Sequence, residues 1–251
     1  MTELTERRMA VLIDGDNAQP GHIGAVLKES VRYGVVTIKR IYADFTNRQM
    51  EGWKRQLSTH AIQPIQQFRN TVGKNATDSA MIIDAMDILY GGAVDGFVIV
   101  SSDSDYTRLA LRVRESGRMV IGIGRDHTPR SFVNACNEFR FVENLAMAEE
   151  RSRRRPGRKQ PATETDDAER GSLDLVTVIS DAIEMAEADD DWVDLGTIAN
   201  NLKKLYPDFD PRTYGNRRLS KLIQSNSEAF RMRRDHDNNS VTVRLAAADA
   251  D

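Results

Sequence analysis

Two short apolar runs in this chain each end abruptly in aspartates. Val11-Leu12-Ile13 empties into Asp14-Gly15-Asp16-Asn17, and Phe97-Val98-Ile99-Val100 empties into Ser101-Ser102-Asp103-Ser104-Asp105-Tyr106. Apolar runs of this length bounded by small polar turns read as buried strands. In open α/β sheets, ligands sit outside the carboxyl ends of the strands. If the two strands are neighbours, their acids crowd one small volume, and the mutual repulsion calls for a divalent cation.

The surrounding pattern supports such a sheet. Between residue 9 and about residue 148, strand-like and helix-like segments alternate, which is the βαβ rhythm of a mostly parallel sheet with helices on both faces. Strands are expected at Met9 to Ile13, Val35 to Tyr42, Ile62 to Phe68, Gly96 to Val100, Met119 to Ile123 and Glu138 to Val142. The clearest helix runs from about Thr77 to Leu89, with Met81, Ile82, Ala85, Ile88 and Leu89 on one stripe and Asp78 in its first turn. Another, Tyr106 to Glu115, carries Leu109, Leu111 and Val113. Asp84 and Asp87 are spaced away from Asp78's face and are expected to be peripheral or solvated.

The apolar pattern stops from Arg151 to Gly171, where Arg, Pro, Gly, Thr and acids read as a linker. Beyond it, Leu175, Val178, Ile179, Ala182 and Ile183 mark one helix, Leu195, Ile198, Leu202 and Leu205 a second, and Leu219, Leu222 and Ile223 a third. Alternation at 230–233 and 241–245 across Asp237-Asn238-Asn239 marks a hairpin. Three helices and a hairpin make a winged helix. The expected division is a first domain over 1–148, a flexible charged linker over 149–171 and a winged-helix domain over 172–247.

Composition narrows the setting. With 40% hydrophobic and 29% charged residues in 251, the chain is of globular type, and one cysteine cannot form an internal disulfide. No apolar run approaches membrane-spanning length, so a cytoplasmic protein without a membrane partner is expected. The formal charge of −3 conceals local bases: Arg212, Arg217, Arg218 and Lys221 around the third helix, and Arg231, Arg233 and Arg234 on the hairpin. A basic helix beside a basic wing suits a phosphate backbone, although the same charges also solubilise a small domain.

As hard oxygen donors, Asp14, Asp16, Asp78, Asp103 and Asp105 suit Mg²⁺ or Mn²⁺. A single Asp is equally explained as a cap or turn residue; acids at two strand ends and a helix start on one rim are not. There is no Gly-x-Ser-x-Gly elbow, and His22, His60, His127 and His236 lack ligand-like spacing. Metal-assisted phosphodiester hydrolysis is the economical reading. Lys74, Arg48, Lys54 and Arg55 are candidates for holding a polyanion, and Trp53 is a core residue before it is a base-stacking one. Gly122-Ile123-Gly124 is a weak dinucleotide signal, since its third glycine is missing.

Val11 to Asn17, Lys74-Asn75-Ala76-Thr77-Asp78 and Ser101 to Tyr106 together resemble the NYN domain of the PIN-like metal-dependent ribonucleases, over about Met9 to Met147. The resemblance implies a PIN-like α/β fold, Asp14, Asp78 and Asp103 as the principal metal-site acids, Asp105 as a fourth, and Asn17 as a polar partner near the scissile phosphate. Ser102 stands where many relatives carry Gly. Val193 to Ala199, Pro207-Asp208-Phe209-Asp210 and Tyr214-Gly215 leading into Leu219 to Ile223 resemble the OST-HTH/LOTUS winged helix, which implies binding of RNA, including structured G-rich RNA, or of a protein partner. The leading expectation is thus a Mg²⁺- or Mn²⁺-dependent ribonuclease, with Lys74, Arg212, Arg217, Arg218, Lys221, Arg231 and Arg233 contacting RNA. The alternative is an inactive RNA- or protein-binding adaptor on the same folds. A phosphoaspartate phosphatase, from the Asp14-Gly15-Asp16 spacing, ranks third. A dinucleotide-binding enzyme ranks last, because acids occupy the first strand-to-helix loop, where glycine amides would receive pyrophosphate.

Overall fold

The computed structural model describes residues 6–68, 76–153, 174–186, 191–234 and 240–246. The chain divides into two compact units at Arg151/Ser152. In the first, β1 (Arg8–Asp14), β2 (Val35–Ala43), β3 (Gln63–Gln66), β4 (Gly96–Val100), β5 (Met119–Gly124) and β6 (Glu138–Phe141) are interleaved with α1 (Ile23–Ser30), α2 (Glu51–His60), α3 (Ala76–Tyr90), α4 (Thr107–Glu115), α5 (Arg130–Ala135) and α6 (Val142–Arg153). All strand pairs are parallel and the order is β3-β2-β1-β4-β5-β6. This is the PIN-like α/β architecture, and its topological switch point falls between β1 and β4.

Strand periodicity divides the core in two. Met9, Val11 and Ile13 face one side with Ile23, Val26, Trp53, Val100 and Ile123. Ala10 and Leu12 face the other with Met81, Ala85, Phe97, Tyr106 and Phe132. Each fully buried Leu or Ile contributes about 1.5–3 kcal/mol, which is why both faces of these central strands are apolar without alternation. Trp53 is a core residue, as its helical spacing with Leu57 implies. On α4, Leu109, Ala110 and Val113 are buried, while Leu111 is exposed.

Several boundaries differ from the sequence reading. β3 is confined to Gln63–Gln66, with Ile62 already in the core before the strand begins. Helix α6 continues to Arg153 and so crosses the boundary expected at 148, while residues 154–171 of the expected linker lie outside the described residues. Asp84, expected to be peripheral, is bonded instead: Arg40 and the Tyr42 hydroxyl on β2 both donate to it. Asp87 is exposed.

In the second unit, α7 (Leu175–Glu184), α8 (Leu195–Leu205) and α9 (Leu219–Ser225) accompany an antiparallel sheet of order β7-β9-β8, formed by β7 (Val193–Asp194), β8 (Phe230–Arg234) and β9 (Val241–Leu245). Ile179, Ala182, Ile198, Ile223, Phe230 and Val243 form its core. The Asp194 side chain caps α8 by accepting from the backbone N–H groups of Gly196 and Thr197. The hairpin turn expected at 237–239 lies outside the described residues. No described helix is long and apolar enough to cross a membrane.

Candidate functional site

The carboxyl ends of β1 and β4 supply the site. Asp14 is the last residue of β1 and shares the side of Ala10 and Leu12, toward α3 and α4. Gly15 then passes close against β2: its N–H donates to the Tyr42 carbonyl at 2.9 Å, and a Cβ there would lie 2.8 Å from the Ala43 Cβ. A larger residue would push the acid loop off the sheet. On β4, Val100 packs on the opposite side and Ser101 turns back toward Asp14.

Asp14 is fully buried, yet each oxygen has a donor. Oδ1 accepts from the Asp16 N–H at 3.1 Å, and Oδ2 accepts from Asn17 Nδ2 and Ser101 Oγ, both at 2.7 Å. Burial drives its pKa upward, partly offset by the Ser101 and Asn17 donors, and the nearby negative charge of Asp78 raises it further. The same Ser101 hydroxyl accepts the Asp103 N–H at 3.0 Å, so one side chain joins the two strand ends. Asp103 in turn accepts the Asp105 N–H at 2.9 Å and caps the short turn Ser104–Tyr106.

Helix α3 contributes Asp78. Its apolar stripe of Met81, Ala85, Ile88 and Leu89 fixes the helix against the sheet, which sets the first turn over the β1 and β4 ends. Tyr106, fully buried, donates its hydroxyl to Asp78 Oδ1 at 2.8 Å. Asp78 is held above the ordinary carboxylate range by burial, against the Tyr106 bond, with further upward push from Asp103, Asp105 and Asp16. The Tyr106 hydroxyl is itself driven far upward by burial and by the surrounding acids, so it remains a proton donor.

Asp78, Asp103 and Asp105 therefore converge, each offering an oxygen within 4.8 Å of the others. Asp14 stands outside that group of mutually close oxygens and touches it through the Ser101 hydroxyl and the charge of Asp78. Asn17, expected near the substrate, is tied to Asp14. The donor set consists of hard, anionic oxygens at spacing that fits one divalent cation, with charge repulsion that a cation would relieve. Asp14 does not fit the nucleophile of a phosphoaspartate phosphatase, being fully buried with donors on both oxygens.

Ser102 occupies its position without strain: among the described residues, non-glycine positive φ occurs only at Ala61 and Asp191. Its hydroxyl accepts the Arg125 N–H at 2.9 Å and so ties the β4 loop to the β5 loop. Gly124 permits that approach, since a Cβ there would lie 2.5 Å from the Ser101 carbonyl oxygen. This packing accounts for a glycine that resembled part of a dinucleotide loop. Ser101 and Tyr106 are the contributors that sequence reasoning left unassigned. Only the alternation of faces past Val100 hinted at Ser101.

The basic candidates separate. Lys74 lies outside the described residues, while Arg48, Lys54 and Arg55 are exposed. Arg217, Arg218 and Lys221 are exposed around the start of α9, and Arg231, Arg233 and Arg234 are exposed on β8. Arg212 differs: its Nε and Nη2 donate to the buried carboxylate of Asp210 at 2.6–3.0 Å, which commits it to the turn before α9. Arg233 and Arg244 both lie over the Trp192 ring, at 4.7 and 5.0 Å from its centroid, an arrangement not anticipated from spacing.

The NYN domain model matches residues 8–143 and the OST-HTH/LOTUS domain model matches residues 173–242. No curated protein matches the chain. Among solved structures, the chain is similar to a protein of unknown function, VPA0982 of Vibrio parahaemolyticus RIMD 2210633, at 16% identity and a TM-score of 0.47, over 55% of this chain and 94% of that one. It is also similar to an uncharacterized protein from gene locus NE0665 of Nitrosomonas europaea, at 26% identity and a TM-score of 0.29, over 37% of this chain and 90% of that one.

Proposed function

We propose, since this chain belongs to the NYN domain family, that it is a divalent-metal-dependent ribonuclease whose C-terminal OST-HTH/LOTUS domain recruits RNA. The observation that carries the reading is the convergence of Asp78, Asp103 and Asp105 within 4.8 Å at the sheet's switch point. In this reading residues 1–148 form the nuclease domain, 149–171 the charged connection and 172–247 the RNA-binding domain, and the protein works in the cytoplasm.

Asp78, Asp103 and Asp105 would hold Mg²⁺ or Mn²⁺, with Asp14 tied through Ser101 to the loop that carries Asp103 and Asp105. Bound there, the ion supplies Lewis-acid charge for a phosphodiester oxygen. Tyr106 keeps one oxygen of Asp78 fixed by its hydrogen bond, which would orient that carboxylate toward Asp103 and Asp105. Ser101 holds the Asp14 and Asp103 segments in register. Asn17, its amide held against Asp14, would stand as the polar partner of an arriving phosphate. Arg217, Arg218, Lys221, Arg231 and Arg233 supply nonspecific phosphate attraction, and covalent connection to the nuclease raises the local RNA concentration.

A single-stranded RNA incubated with the full chain and Mg²⁺ or Mn²⁺ should be shortened, and EDTA should stop it. RNA that is bound but never shortened under either ion would overturn catalysis and leave the adaptor reading.

A further inference from the structure

The three-stranded sheet of the C-terminal unit turns one side to the helices and the other away from them. Val193, Phe230 and Val243 belong to the core, so by strand alternation Trp192, Asp194, Arg231, Arg233, Thr242 and Arg244 lie on the opposite side. The register sets Arg231 opposite Arg244, and Arg233 opposite Thr242, which in turn faces Asp194. Trp192, the residue before β7, therefore continues the row of Arg231 and Arg244. This side thus carries three arginines and an indole. Asp194 is the one acid among the six, and its Oδ1 is committed to the backbone N–H groups of Gly196 and Thr197.

The arginines do not simply point to water. Arg244 lies over the Trp192 ring at 5.0 Å from its centroid, and Arg233 lies over it at 4.7 Å. Because β9 stands between β7 and β8, Arg233 reaches the indole by extending across the whole middle strand. Arg231 differs, donating from Nη1 to the Ser227 carbonyl at 3.1 Å. Trp192 is half-buried and Arg233 is exposed. A guanidinium over an exposed ring is held more weakly than a nucleobase stacked on an indole. A base can therefore take the place of Arg233 on the ring, and the released guanidinium is then available to the phosphate of the same strand. Bases inside a duplex have both faces covered by their neighbours, whereas a single strand offers an open face.

We propose that Trp192, with Arg233 and Arg244, forms a base-stacking site for single-stranded RNA on the side of the sheet away from the helices, a role that rests on the C-terminal unit recruiting RNA. The chain has two tryptophans, and Trp53 is only 1% exposed in the N-terminal core, so indole emission that responds to RNA reports Trp192. The full chain in EDTA is titrated with an oligouridylate and with an RNA duplex of the same length. Bound oligouridylate should quench the emission, and bound duplex should leave it unchanged. Trp192→Ala should weaken oligouridylate binding about tenfold and duplex binding by less than about twofold, while Trp192→Phe, which keeps a ring, should stay within about threefold of the unmodified chain. The quenching is read on the unmodified chain and is independent of how the variants fold. Oligouridylate that binds without quenching, a Trp192→Ala chain that binds it undiminished, or a duplex that loses as much affinity as the single strand would overturn the stacking site and leave recruitment standing. A chain that binds neither RNA would refute recruitment itself. No ion or cleavage enters these measurements, so the nuclease reading is tested separately.

Discussion

The acids of the N-terminal unit and the arginines of the C-terminal unit are held in opposite ways. Asp14, Asp78 and Asp103 are fixed by Ser101, Asn17, Tyr106 and backbone N–H groups, at the cost of desolvation and mutual repulsion. Arg217, Arg218, Arg231 and Arg234 stand exposed on the surface of a small winged helix. Phosphodiester chemistry, as proposed for these acids, needs charge preorganised to fractions of an ångström, which side chains held by such bonds can supply. Attraction of a polyanion needs only charge in the right neighbourhood, and mobile surface side chains suffice. The two regions should therefore fail differently when altered.

The largest separation is expected from Asp103→Asn. Removing one charge from the three-acid group should lower RNA cleavage by roughly 10²–10⁴-fold, measured as single-turnover rates, with RNA affinity changed by less than about threefold. Next, Ser101→Ala removes one of three donors to Asp14 and the acceptor for the Asp103 N–H, and should cost about 1–3 kcal/mol in denaturant unfolding of the N-terminal unit. Its cleavage rate should fall as well, since the register of the two strand ends depends on that hydroxyl.

The C-terminal unit should answer in affinity alone. Replacing Arg217, Arg218 and Lys221 together by Ala should weaken RNA binding about tenfold and reduce the slope of log K against log salt by about 2, at roughly 0.7 per lost phosphate contact on single strands. Saturating cleavage rate should be unchanged. A drop in saturating rate equal to that in affinity would erase the distinction between the two regions.

The smallest effect is in pH. Asp14 and Asp78 both have folded pKa values raised above the ordinary carboxylate value of 3.8. The folded state then holds more protons than the unfolded one above that value, so these groups favour folding at low pH and lose that contribution as pH rises through their folded pKa values. Thermal melts in EDTA should show the N-terminal unit gaining stability on mild acidification from neutrality. Mg²⁺ or Mn²⁺ should stabilise it near neutral pH and lose that effect as the carboxylates protonate. Absence of any ion-dependent shift would count against the three-acid group as a metal site.

Much of this architecture is legible in one dimension because it rests on local patterns. The apolar strands around Val11 and Val98 and the striped helix behind Asp78 announce themselves by periodicity, and the acids follow directly from the strand ends. The edge strand β3 is shorter than its sequence pattern implies, because an edge strand is paired on one side only and Ile62 is buried without joining it. What the pattern does not carry is convergence. The Tyr106 bond to Asp78, separated by 28 residues, and the Ser101 bond to Asp14, separated by 87, arise only when helix and strands are packed. The same holds for Arg212, whose spacing with Arg217 and Arg218 suggests a shared basic face although Asp210 claims its guanidinium. The shared approach of Arg233 and Arg244 to the Trp192 ring likewise depends on the pairing of β8 with β9.

The most direct measurement is anomalous diffraction from a crystal of the full chain soaked in Mn²⁺. The account predicts one strong peak bonded by oxygens of Asp78, Asp103 and Asp105, lost in Asp103→Asn crystals. A peak elsewhere on the chain with this acid group vacant, or occupancy unchanged by the substitution, would contradict it.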